Sequence, residues 1–127
     1  MGRIILADDD ELVAAVVSNV LMAAGHAVGW LADGASALNV ITQRPPDLVI
    51  LDCNMPEMGG VHVLHEMRRL DHLHRVPVLM LTGRSSAQDE NIARFAGATD
   101  YLRKPFNTIE LVDRANDLIA GRTRRLS

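Results

Sequence analysis

Apolar and polar positions along this chain fall into a repeating order of short apolar runs and longer stretches with helical spacing. Ile4–Ala7, Leu48–Leu51 and Val76–Leu81 are nearly continuous apolar runs, as expected of parallel strands covered on both faces. Ala27–Ala32 is a weaker strand and Tyr101-Leu102 a short one. Between them, Leu12, Val13, Val16, Val17, Val20, Leu21 and Ala24 recur at helical spacing, with Gly25 where a helix C-cap belongs. A second helix is predicted over Ala35–Gln43, stopped by Pro45-Pro46. Val61, Leu64, Met67 and Leu70 mark a third, and roughly Ser86–Ala96, closed by Gly97, a fourth. Asn107 and Glu110 resemble a capping box opening a fifth through Leu111, Val112, Ala115, Leu118 and Ile119. Five βα units in succession predict one doubly wound α/β domain: a parallel five-stranded sheet with helices on both faces.

Composition narrows the function classes. The chain has 127 residues and a net charge of −3, which fits one domain and gives no basic face for nucleic-acid phosphates. One cysteine makes no internal disulfide, and no apolar run approaches the length of a membrane span. A cytoplasmic domain without direct nucleic-acid or membrane binding is expected. Residues 1–121 read as the domain and 122–127 as a basic, frayed tail. Lys104 is the single lysine among 13 cationic residues, so it marks a position where a compact ammonium is wanted rather than a planar guanidinium.

The polar residues then fall in a pattern. Asp8, Asp9 and Asp10 follow the first strand, Asp52 follows the third, Thr82 ends the fourth, and Lys104 lies just past the fifth. All strand ends of one polarity share an edge of a parallel sheet, where ligands bind. Carboxylates gathered there repel unless a proton or cation intervenes. A hard divalent ion with oxygen ligands, Mg²⁺ or Mn²⁺, resolves the repulsion. A hydroxyl from Thr82 and an ammonium from Lys104 facing the same ion are donors suited to phosphoryl oxygens, with Asp52 as nucleophile.

The segments RIILADDD, PDLVILDCNMPEMGG, VPVLMLTG and GATDYLRKPF resemble the receiver domain of two-component response regulators, from Arg3 to about Ala120. The resemblance implies a CheY-like, flavodoxin-like fold with strand order 2-1-3-4-5. It implies Asp52 as phosphoacceptor, Asp9 as a direct metal ligand, Asp8 acting through water, and the Asn54 backbone carbonyl as a further ligand. By the same resemblance Thr82 and Lys104 bind the phosphoryl group, Tyr101 turns inward on activation, and Lys104-Pro105 is a cis peptide. Asn54 and Arg84 occupy the positions that tune phosphoryl lifetime. A sensor histidine kinase or histidine phosphotransfer protein is the implied donor. A downstream protein partner is implied at the surface of the fourth helix, fifth strand and fifth helix, and a phosphorylation-dependent dimer is compatible with it. Such a domain is not a dedicated enzyme, although it catalyses its own phosphorylation and dephosphorylation.

Two other function classes compete: a Mg²⁺-dependent phosphohydrolase with an aspartyl nucleophile, and an unphosphorylated receiver-like scaffold. Cys53 and Asn54 stand where such a hydrolase needs a second acid, and intact Asp52, Thr82 and Lys104 argue against a scaffold. Cys53 reads as a small strand-end hydrophobe, His62, His65, His72 and His74 as solvated, and Trp30 as packing remote from Asp52.

Overall fold

A computed structural model describes residues 1–55, 57–83, 91, 94 and 96–121 of the chain. Its elements are β1 (Arg3–Ala7), α1 (Glu11–Ala23), β2 (Ala27–Leu31), α2 (Gly34–Gln43), β3 (Leu48–Asp52), α3 (Gly60–Arg69), β4 (Val78–Thr82), β5 (Asp100–Arg103) and a last helix, Thr108–Ile119. The strands form one parallel sheet in the order β2-β1-β3-β4-β5. This is the doubly wound parallel sheet that the alternating pattern predicts, in the flavodoxin-like strand order that the resemblance implies. Most of the predicted fourth helix lies outside the described residues, as does the tail. Among the described residues no helix is long and apolar enough to cross a membrane.

The continuous apolar runs are explained by a core on each face of the sheet. Ile5, Ala7, Val49, Leu51, Val78 and Met80 pack with residues of α2 and α3. Ile4, Leu6, Leu48, Ile50, Leu79 and Leu81 pack with α1 and the last helix. Successive strand side chains point to opposite faces, so consecutive positions within these strands are apolar, with polar residues left to their ends. β3 and β4 are buried throughout.

Helix ends follow local chemistry. The Asp10 side chain caps α1 by accepting from the Leu12 and Val13 N–H groups at 2.9 and 3.3 Å. Asp33 caps α2 through the Ser36 N–H at 2.7 Å. Gly25 follows α1 with φ of +98°, the left-handed conformation that ends a helix. The reciprocal capping box is corrected. Asn107 does accept from the Ile109 N–H at 2.7 Å and the Glu110 N–H at 3.3 Å. The Glu110 carboxylate, however, pairs with Arg114 one turn on, at 3.2 Å. An arginine partner outcompetes a neutral backbone donor for that carboxylate.

The predicted apolar faces are also wider than the buried ones. In α1 the buried positions are Ala14, Val17 and Leu21, while Leu12 is 80% and Val16 48% exposed. Leu70, at the C-cap of α3, is likewise exposed. Periodicity marks apolar positions, and the width of the neighbouring sheet decides how many are covered.

Arg68 is the polar tie of the α3 side. Its Nε donates to the Gly97 carbonyl at 3.0 Å and its Nη2 to Thr99 Oγ1 at 3.4 Å. Its Nη1 reaches the Leu73, His74 and Val76 carbonyls at 3.3, 3.2 and 2.8 Å. One planar fork thus satisfies the loop between α3 and β4 and the turn before β5. Gly97, with φ of +104°, packs directly against it; a Cβ there would lie 3.1 Å from Arg68 Cγ. Neighbouring Arg69 instead turns out to Glu66 at 3.0 Å.

Arg68→Met keeps the aliphatic stem and removes all these donors. We expect a loss on the order of 3 kcal/mol in all, the cost of leaving several half-buried carbonyls without their donor. Urea unfolding at neutral pH measures it. A loss below about 0.5 kcal/mol, the range of ordinary surface changes, would sink this role.

Candidate functional site

β1 and β3 are neighbours, with Ala7 beside Leu51 in register. One step further along both strands brings Asp8 beside Asp52. Both continue the side of the sheet that faces α1 and the last helix. Asp8 is fully buried and Asp52 4% exposed, whereas Asp9 is exposed. The carboxylate oxygens of Asp8, Asp9 and Asp52 lie within 4.8 Å of one another. Lys104 bridges the buried pair: its Nζ is 3.4 Å from Asp8 Oδ2 and 3.3 Å from Asp52 Oδ1. Its main chain is fixed by donation from the Lys104 N–H to the Thr82 carbonyl at 2.8 Å. The following Lys104–Pro105 peptide is cis.

Close packing under the acids leaves little freedom. A Cβ on Gly60 would collide with the Asp52 carbonyl, so α3 starts directly against the end of β3. Asp52 Oδ1 also accepts from the Asn54 N–H at 3.4 Å, and the Asn54 side chain itself is exposed. Thr82 is fully buried, and among the described residues its Oγ1 has no hydrogen-bond partner. An unpartnered buried hydroxyl costs about 1–3 kcal/mol. Thr82 lies at the end of β4, and its carbonyl also holds the Lys104 N–H.

The electrostatics follow from burial. Loss of water, then the charge of Asp8, pushes the Asp52 carboxyl up to about 6, although Lys104 pulls the other way. Burial alone would lower the Lys104 ammonium, but Asp52 and Asp8 outweigh it and hold it above its ordinary value. An oxygen-only donor set with more negative than positive charge suits a hard divalent cation. The residues present therefore fit Mg²⁺ or a similar ion.

Several residues stand where sequence reasoning did not put them. The three consecutive aspartates separate into a buried acid, an exposed acid and a helix cap, and the Asp10 N–H donates to Asp8 Oδ1 at 2.9 Å. Trp30, expected as remote packing, is 40% exposed. Its indole N–H donates to the Asp8 carbonyl at 2.7 Å, because the end of β2 lies alongside the end of β1. Tyr101 is half-buried, with its hydroxyl 2.7 Å from Arg94 Nη2 and its ring 5.3 Å beneath that guanidinium. Beside it Arg114 pairs with buried Asp100 at 2.9 Å and donates to the Tyr101 carbonyl at 2.8 Å. Arg84 lies outside the described residues. His62, His65, His72 and His74 are exposed; among the described residues the acidic trio is the one cluster arranged to hold a metal.

Comparison with known proteins gives the family. A model of the response regulator receiver domain matches residues 4–116. The chain belongs to that family. This receiver is 42% identical over 120 residues to the transcriptional regulatory protein PrrA of Mycobacterium tuberculosis, covering 94% of the chain and 51% of PrrA. It is 37% identical over 126 residues to the DNA-binding dual master transcriptional regulator RpaA of Synechocystis, covering 99% and 52% respectively. The receiver thus spans about half the length of the curated relatives it matches. Among solved structures it resembles the chemotaxis protein CheY4 of Vibrio cholerae, with TM-score 0.86, 32% identity, and 93% of this chain and 98% of that one covered. The receiver domain of Francisella response regulator 1452 is also similar, with TM-score 0.88, 28% identity, and 95% and 98% covered.

The raised Asp52 carboxyl gives a signed prediction for the metal-free receiver. The folded state holds that proton more tightly than the unfolded chain, where the value is 3.8. Stability is therefore lost as pH rises from about 4 through 6, by an amount on the order of 3 kcal/mol. Asp52→Asn removes the charge. In EDTA it should unfold at higher denaturant than the parent at pH 8, with the gap closing toward pH 4. A gap independent of pH would show that Asp52 does not titrate in this range.

Proposed function

We propose that the receiver is a phosphorylation switch in which Asp52 accepts a phosphoryl group from a sensor histidine kinase or a histidine phosphotransfer protein. The observation that carries this is one buried carboxylate beside an ammonium and two further acids, with a buried hydroxyl at the end of the neighbouring strand. Asp52 and Asp9 would hold the divalent ion directly, with the Asn54 carbonyl, and Asp8 through water. When bound, Mg²⁺ supplies charge neutralisation for the incoming phosphoryl oxygens.

The reaction then follows from this chain's own groups. At neutral pH Asp52 is largely ionised, so an Oδ lone pair attacks phosphorus as the P–N bond of the donor's phosphohistidine breaks. Lys104 shifts its hydrogen bonds from the carboxylates to a phosphoryl oxygen. Thr82 Oγ1 gains the acceptor it lacks. That movement vacates space beside Tyr101, which turns inward and gives up its contacts with Arg94. The surface of the fourth helix, β5 and the last helix changes accordingly and is read by a downstream protein. The same constellation supports self-catalysed phosphorylation and dephosphorylation.

A donor surface lies next to the lysine. Leu12, Val13, Val16, Lys104, Pro105 and Phe106 line an open hollow of about 550 Å³, and its exposed Leu12 and Val16 suit the apolar face of a phosphodonor helix. Residues 1–121 form the receiver in this reading. A cytoplasmic setting follows from the kinase partner.

Incubated with Mg²⁺ and a small phosphodonor, the parent should gain one phosphoryl group and Asp52→Asn none. Equal labelling of the two in intact-protein mass spectra would overturn the assignment. Lys104→Arg tests the switch, since a guanidinium fork does not seat where the compact ammonium does. That variant should still be labelled at Asp52, yet lose the phosphorylation-dependent NMR shifts of Thr82 and Tyr101.

A further inference from the structure

The Asp9 carboxylate is exposed, and no described residue pairs with it. Its place in the acidic cluster is therefore set by its main chain. The main chain that fixes it runs through Asp8, whose two flanking peptides are held differently. The Asp8 N–H donates to the Leu31 carbonyl at 3.1 Å, an extension of the β1–β2 ladder. The Asp8 carbonyl, one atom from the Asp9 nitrogen, accepts the Trp30 indole N–H at 2.7 Å. A ladder bond is available to any β2 sequence, but this second bond needs a side-chain donor with the reach of Trp30.

We propose that Trp30 is a positioning residue of the divalent-ion site. Its indole N–H fixes the plane of the Asp8–Asp9 peptide and so aims the Asp9 carboxylate at Asp8 and Asp52. The inference rests on the reading of Asp8, Asp9 and Asp52 as the ion site. Geometry favours a specific role over packing: Trp30 lies beside Leu6 in the sheet register, yet 40% of it is exposed. A ring kept only to fill the core would be covered and would have no need of a donor aimed at the acidic segment. The hydrogen bond is short, and its acceptor is the last main-chain carbonyl before the exposed acid.

The experiment removes the donor and keeps the ring. Trp30 is replaced by 3-benzothienylalanine, in which sulfur stands for the N–H, and in parallel by Trp30→Phe. The first readout is taken in EDTA: the ¹⁵N resonance of the Asp9 amide, which senses the hydrogen bond on the preceding carbonyl. It should move in both variants while core resonances such as Ile50 and Leu79 hold. The second is Mg²⁺ binding by calorimetry, where affinity should fall about three- to tenfold, the effect of one hydrogen bond. Labelling of Asp52 by a small phosphodonor should be slowed at low Mg²⁺ and return to the parental rate at saturating Mg²⁺. An unmoved Asp9 resonance, or Mg²⁺ affinity within twofold of the parent in the benzothienyl variant, would overturn the role of Trp30. A parent that neither binds Mg²⁺ nor labels would overturn the ion-site reading and this inference with it. A parent that does both beside unchanged variants removes this inference alone.

Discussion

Two buried carboxylates facing one ammonium set the terms for the rest of this molecule. Asp8 and Asp52 are driven together by strand register, and their mutual repulsion is only partly relieved by Lys104. The charge imbalance makes the site receptive to a cation, and the same burial holds the Asp52 carboxyl high. Neither acid escapes, because Gly60 packs beneath the Asp52 carbonyl and the Asp10 N–H grips Asp8. The sheet therefore stores an unfavourable arrangement at its edge, and the two apolar cores beneath supply the stability that tolerates it.

Polar residues away from the edge hold the frame in place. Arg68 gathers carbonyls from the loop after α3 and from the turn before β5, so the far half of the sheet is anchored by one guanidinium. Asp100 and Arg114 join β5 to the last helix. At the opposite end of the strands, His26 accepts the Gly2 N–H at 2.9 Å and lies 2.7 Å from Asn116 Oδ1. The Gly2 bond leaves Nδ1 bare, which places the ring proton on Nε2, directed at Asn116. The contacts of Arg68 with Thr99 and of His26 with Asn116 cross between elements distant in sequence.

What the sequence reveals and what it conceals divide along physical lines. Continuous apolar runs report strands covered on both faces, and the polar residue ending each run reports the sheet edge. Asp8, Asp52, Thr82 and Lys104 were legible for that reason, the last sharpened by its solitude among arginines. Trp30 was not, since an aromatic in a weak strand carries no sign of which distant carbonyl its N–H meets. Arg68 was hidden beside Arg69, two identical letters of which one turns inward and the other toward Glu66. Leu12 and Val16 fit the helical period without being covered, because a periodic pattern records composition and not the extent of the surface opposite. The sequence disclosed local environment and the shared sheet edge, while the particular partners of Trp30 and Arg68 across the fold appeared only in the structure.

The aspartate triplet after β1 has a consequence for how this segment tolerates change in length. Its three members are chemically identical, yet one is sealed inside, one faces outward and one closes the first turn of α1. Loss of any single codon from the run yields the same two-aspartate protein, whichever codon was removed. The shortened chain must then forgo either the helix cap or the outward acid. Identity of letters here masks a division of labour as complete as that among three different residues.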